Sequence, residues 1–226
     1  MSHILNNPVW AALTSGNENL AIGNDLARYF PREISPFSGV KDLSPANFQA
    51  LYDIVPFKEP IAIFSDEKLI YPHPWKIINR IDGFQMIYPT VPEQQIVETA
   101  IVKLTEQHVP KMLALTKSTN PGPFLSETIK FGNYEGIISN GQLVSMAGQR
   151  LHSGNYVEIS AVCTHPDHIG KGYARTLIDS QIRKIVSQGE IPYLHVRGDN
   201  TRAIEIYKEF GFETRSEMII YILSKN

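Results

Sequence analysis

Residues Tyr156 to Ala174 read YVEISAVCTHPDHIGKGYA. Tyr156–Thr164 is an apolar, β-branched run that predicts a strand, and His165-Pro166-Asp167 predicts the turn that ends it. Gly170, Gly172 and the small Ala174 then open onto a predicted helix, Gly172 to Gln188. That helix gathers Ala174, Leu177, Ile178, Ile182, Ile185 and Val186 on one stripe. Gly189 is its expected C′ residue. A strand that enters a helix through glycines brings several backbone N–H groups and a helix N-terminus to one point, which suits a phosphate. The same glycines would serve a plain tight turn, and spacing alone does not decide between the two. The stretch lacks both the Gly-Lys-Ser/Thr ending of a P-loop and the G-x-G-x-x-G spacing of a dinucleotide site.

Downstream, Ile191–Val196 predicts a buried strand. Asp199-Asn200-Thr201 offers capping oxygens to a helix through Phe210 that Gly211 ends, and Ser216–Leu223 is a last strand. Upstream, Thr99–Leu104 predicts a strand and Thr105 to Lys117 a helix. Asn120-Pro121-Gly122-Pro123 breaks the chain before a short helix over Phe124–Phe131. Tyr134–Ile138 and Gln142–Arg150 form a hairpin around Asn140-Gly141. The first part of the chain is dense in turn formers (FPREISPF, IVPFKEP, YPHPW). Between them lie a predicted helix from Leu20 to Tyr29, another after Ser44-Pro45, and strands Ile61–Phe64 and Phe84–Tyr88. TVPEQQ, Thr90 to Gln95, reads as a linker, so residues 1–97 and 98–226 are expected as two domains.

The chain has 226 residues, 42% of them hydrophobic and 19% charged, which is enough to bury a sizeable core. Lys+Arg 21 against Asp+Glu 23 gives a formal charge of −2, so no global field favours nucleic acid. A single cysteine, Cys163, excludes an internal disulfide framework and fits a reducing cytoplasm. The start, MSHILNNPVWAAL, has no signal-peptide pattern, and no apolar run approaches a membrane span. His165 and His168 sit in a turn, so no metal site is expected there.

Two segments together carry a resemblance. HPDHIGKGYA, followed downstream by DNTRAIEIYKEFGF, is similar to the GNAT superfamily of acyl-CoA-dependent N-acetyltransferases, over residues 98–226. Gly172 and Ala174 fill the last two positions of that family's pyrophosphate motif, Q/R-x-x-G-x-G/A, while Ile169 stands where it has Gln or Arg. Its second motif, N-x-x-A-I-x-x-Y-x-x-x-G-F, is intact from Asn200 to Phe212. The resemblance implies an α/β GNAT fold, a mixed central sheet flanked by helices, with residues 1–97 a smaller α/β domain. That first part resembles the extension found in the subgroup related to glycine N-acyltransferases, where it flanks the acceptor side.

The resemblance also implies acetyl-CoA as co-substrate, with no metal. The backbone of Val162, Cys163 and Thr164 would pair with the pantetheine arm, and an amide near Val162 would face the oxyanion. Gly170, Lys171, Gly172, Tyr173, Ala174 and Arg175 would hold the pyrophosphate. Asn200 would hold the cofactor arm, cap its helix, or both. The expected reaction is direct attack by a primary amine of a small molecule or amino acid on the thioester. An amine with a pKa of about 8–10.4 spends roughly 1.4–4.6 kcal/mol on deprotonation at pH 7, so a general base is useful. Glu158 matches the catalytic glutamate of the histone-acetylating branch; the alternatives are a solvent-facing strand carboxylate or a charge partner for the acceptor. Tyr207 matches the tyrosine that protonates the leaving thiolate; the alternative is a half-buried helix aromatic.

Cys163 is expected as a small buried strand residue rather than a nucleophile, and His152 and His195 as strand-end polar residues. The expected partners are acyl-CoA and a small amine, with no nucleic acid or membrane and a homodimer left open. Two other functions stay open: a non-catalytic acyl-CoA-binding module, which Ile169 encourages, and a protein or peptide N-acetyltransferase.

Overall fold

The computed structural model describes residues 3–70, 72–89 and 100–225. Eleven strands and five α-helices are built from them. The first part holds α1 (Pro8–Leu13), β1 (Ile22–Gly23), β2 (Ala27–Tyr29), β3 (Ser38–Val40), α2 (Pro45–Ile54), β4 (Ile61–Ser65) and β5 (Lys76–Ile87). The second holds β6 (Val102–Lys103), α3 (Val109–Thr119), β7 (Glu135–Ser139), β8 (Gln142–Ser153) and β9 (Tyr156–Thr164). It ends with α4 (Tyr173–Ser187), β10 (Ile191–Arg197), α5 (Thr201–Glu209) and β11 (Glu213–Ser224).

Strands β4 to β11 form one eight-stranded mixed sheet in the order β4-β11-β5-β10-β9-β8-β7-β6. The β9–β10 pair is parallel, which requires the α4 crossover. On one face the α4 stripe of Leu177, Ile178, Ile182 and Ile185 packs on strand residues such as Val157, Ile159 and Leu194. On the other face Leu5, Val9, Phe30, Phe37, Met112 and Leu115 cover Met146, Tyr193 and Met218. Sheet residues are therefore buried on both sides, which is why β8 reads as a nearly continuous buried run rather than an alternating one. No helix among the described residues is long and apolar enough to cross a membrane.

Most expected elements are present, and three differ most. Leu20–Tyr29 is not a helix but the β1–β2 hairpin, because Gly23, Asn24 and Asp25 interrupt it. Asn24 Oδ1 accepts from the amides of Leu26 and Ala27, a local bond that competes with helix. Phe124–Phe131 shrinks to a 3-10 turn over Thr128–Phe131, since Thr128 Oγ1 accepts from Leu125 N and donates to Ile34 O. The strand expected at Phe84–Tyr88 begins at Lys76.

The main sheet draws strands from both parts of the chain. β5 lies between β10 and β11, and Phe30, Phe37 and Phe64 share a cluster with Met146 and Tyr193. Residues on either side of the expected 97/98 division thus build one sheet and one main core. The linker TVPEQQ and the division itself lie outside the described residues.

Candidate functional site

The site starts where two strands part. β9 and β10 pair only from Tyr156–Glu158 against Ile191–Tyr193, yet β9 runs on to Thr164 and β10 to Arg197. On its other side β9 carries a bulge. Met146 is opposite Cys163 and Gly148 opposite Ser160, so β9 holds one residue more than β8 over that interval, and Ala161 takes a positive φ of 53°. Ala161 is not glycine, and such a conformation is uncommon outside turns and functional sites. Val162, Cys163 and Thr164 lie just beyond it, on the part of β9 that has left β10. A wedge between parallel strands is the result.

The wedge opens towards the start of α4. Gly170 and Gly172 have φ of 85° and 79°, and Gly172 is the N-cap. The first bond of the helix runs from Thr176 N to Gly172 O, so the amides of Tyr173, Ala174 and Arg175 have no acceptor within it. A Cβ added at either glycine would meet nothing within 4 Å, so the backbone there is an open ledge. Lys171 Nζ lies 3.2 Å from His168 Nδ1, and the His168 ring stacks on Tyr173. Arg175 is ion-paired to Glu209 and lies over the Phe210 ring, so its backbone rather than its guanidinium is left for a ligand. Ile169 is 53% exposed at the position where the pyrophosphate motif has a polar side chain. His165 and His168 flank and close a 3-10 turn, Pro166–His168.

Glu158 sits at the vertex of the wedge and is fully buried. Arg150 Nε donates to its Oε2 at 2.8 Å and Arg150 Nη2 to its Oε1 at 2.6 Å. His195 Nδ1 is 2.7 Å from Oε1. Burial by itself would raise the carboxyl, but the charge and hydrogen bonds of Arg150, then His195, outweigh it and hold the group at about 2. A carboxylate so committed is a poor proton acceptor near neutral pH. Burial overturns the expectation of a solvent-facing carboxylate, and the ion pair with Arg150 weighs against the base role. Its charge partner is Arg150, whose guanidinium lies 4.6 Å from the Phe37 ring centroid.

Tyr207 packs its ring against Phe212 in the α5 layer, and burial pushes its hydroxyl up to about 12. It stays protonated at neutral pH, as a donor must. Asn200 Oδ1 accepts from Ala203 N, so the helix-cap reading holds, and the rest of its amide is left for other contacts. Cys163 is buried, and burial pushes its thiol up to about 11, against the weaker opposing hydrogen bonds of Thr119 and the Met146 backbone. That is the opposite of an activated thiol. His152 is half-buried, and burial lowers its pKa. His195 is no strand-end polar residue; it is buried in the Glu158 network.

Sequence reasoning missed Arg150, His195, Gln85 and Tyr134. Arg150 left little signal, since β8 also carries Gln142, Ser145, Gln149, His152 and Ser153, and only its burial in the sheet shows that it needs a buried anion. Tyr134 is 1% exposed, its hydroxyl has no partner among the described residues, and it lies in the field of Arg150 and Glu158. Its ring occupies the space over Gly148, where an added Cβ would come within 2.3 Å.

Residues 134–220 match the family described as FR47-like protein. A solved acetyltransferase of the GNAT family from Novosphingobium aromaticivorans is similar to the whole chain, with 32% identity, a TM-score of 0.91 and 100% of each chain covered. A GCN5-related N-acetyltransferase from Kribbella flavida shares the fold at 12% identity, with a TM-score of 0.63 over 97% of this chain and 96% of that one. The spermidine N(1)-acetyltransferase of Vibrio cholerae is 37% identical over 71 residues, 29% of this chain and 40% of that relative. The chain thus spans less than two thirds of that curated relative's length.

Proposed function

The chain belongs to the GNAT family, and from that premise we propose that it moves an acetyl or short acyl group from acyl-CoA to a primary amine by direct attack. The observation that carries this reading is the wedge between β9 and β10, bulged at Ala161 and opening onto the glycine ledge of α4. Pantetheine carries amides and fits the strand edge at Val162, Cys163 and Thr164 as an added strand would. Its pyrophosphate fits the amides of Gly170 to Arg175. Tyr207 donates to the departing thiolate. Asn200 caps α5 and steadies the cofactor arm.

A small amine or amino acid is the proposed acceptor. Its support is the spermidine-acetylating relative and the resemblance of the first part of the chain to the glycine N-acyltransferase subgroup. Glu158 acts as a fixed anion and takes no proton from the acceptor, so the amine must reach the thioester already neutral, and the proton its nitrogen loses as the amide forms replaces the one Tyr207 gives to the thiolate. The acidic limb of kcat/KM is then expected to track the acceptor. Two acceptors whose amine pKa values differ by one unit should shift the limb by about one pH unit. A limb that stays put would return the proton to an enzyme group.

Thiol release from acetyl-CoA with an amine panel tests the reading as a whole. Tight CoA binding without turnover on any amine would leave a non-catalytic binding module. Tyr207→Phe is expected to lower kcat about tenfold with little change in CoA affinity, the size of one modest general-acid contribution. Equal kcat in the two proteins would remove Tyr207 from the reaction.

A further inference from the structure

The backbone ladder between β9 and β10 ends at the Glu158–Tyr193 pair, and just beyond it the strands are joined by side chains. The bond network there assigns the imidazole proton. Gln85 Oε1 accepts from Arg215 Nε, and Gln85 Nε2 donates to Leu5 O at 3.0 Å, so the amide has one orientation. Its N–H also faces His195 Nε2 at 3.0 Å. A donor at Nε2 requires a lone pair there, so the proton sits on Nδ1 and is given to Glu158. The charged and aromatic groups around the imidazole are Glu158, Tyr193 and Phe64; Arg150 reaches it through Glu158 and Arg215 through Gln85.

We propose that Glu158, His195 and Gln85 form a clasp at the vertex of the wedge, which sets how far β9 and β10 diverge and therefore where the acyl thioester is held. Glu158 is anchored to β8 by Arg150, and Gln85 to β11 by Arg215, whose Nη2 also reaches Asn6 Oδ1 at 2.9 Å. The row thus ties five neighbouring strands at the one level where backbone bonds between two of them stop. A satisfied buried polar network fixes a single geometry, which is what a wedge needs when the adjacent bulge pushes its two sides apart. His195 and Gln85 are positioning residues in this scheme, and their role rests on the acyl-CoA reading.

The test uses the full chain with 15N-labelled histidine, in the native form and as His195→Phe, His195→Asn and Gln85→Glu. NMR of the native ring should give the Nδ1–H pattern, and Gln85→Glu, which puts an acceptor at Nε2, should give the doubly protonated one. By calorimetry, His195→Phe should weaken CoA binding about tenfold, the size of one lost charge-assisted bond, while His195→Asn restores the donor to Glu158 and most of the affinity. An Nε2–H tautomer in the native protein, or a His195→Phe variant that binds CoA normally, would overturn the clasp. Should His195→Phe fail to fold, the NMR pattern and the Asn variant still decide. A native chain that shows the expected tautomer but binds no CoA would instead remove the acyl-CoA reading.

Discussion

Arg150→Met is expected to cost about 3–5 kcal/mol of stability, because it strands the buried Glu158 carboxylate without its main partner. Urea unfolding at pH 7 measures it. The variant should also reverse an acid response. In the native chain the carboxyl is depressed from its ordinary 4.5 to about 2, so its contribution is present above pH 4.5 and is lost as pH falls through that window. Without Arg150 only His195 opposes the burial that raises the carboxyl, so the carboxyl should rise. A raised carboxyl contributes fully below its unfolded value and loses that contribution as pH rises, so the variant should gain stability on mild acidification while the native chain loses it. Arg150→Met combined with Glu158→Leu should recover most of the loss, since a dry apolar pair of similar volume replaces a buried ion pair at little cost. A single variant as stable as the native chain at pH 7 would mean that the carboxylate finds water or another donor.

Gly172→Val should separate binding from folding. A Cβ there enters open space, so the folded chain loses only what a left-handed side chain costs, about 1–2 kcal/mol. On the proposed reading the pyrophosphate lies against this ledge, so a valine side chain takes up space the ligand needs, and CoA affinity should fall about a hundredfold, near 2.7 kcal/mol. Calorimetry with CoA, beside a thermal melt, reads both. Unchanged affinity in a folded variant would move the phosphate site away from this ledge. Loss of folding would show that the ledge packs against something in solution.

Local pattern was legible where neighbouring residues agree. The β9–loop–α4 unit, the hairpin at Asn140-Gly141 and the cap at Asn200 lie almost where expected, because strand content, glycines and capping oxygens act within a few residues of one another. Leu20–Tyr29 misled because apolar residues at helical spacing hid the turn chemistry of Gly23 and Asn24. The partners of Glu158 were illegible for a different reason. Arg150, His195 and Gln85 come from three other strands, and only sheet order brings them together.

The sequence by itself determined the local unit proposed as the donor side: a strand, a glycine ledge and a helix start are contiguous, so the residues proposed to hold a pyrophosphate are neighbours in the chain as well as in space. Only the tertiary structure decided what surrounds Glu158. Placing β5 between β10 and β11 brings Gln85 to His195, and covering that face with Leu5 and Phe37 removes water from the carboxylate. Ionisation and proton affinity depend on solvent exclusion and on charges brought in from distant strands, and neither is written in the residues that flank a position.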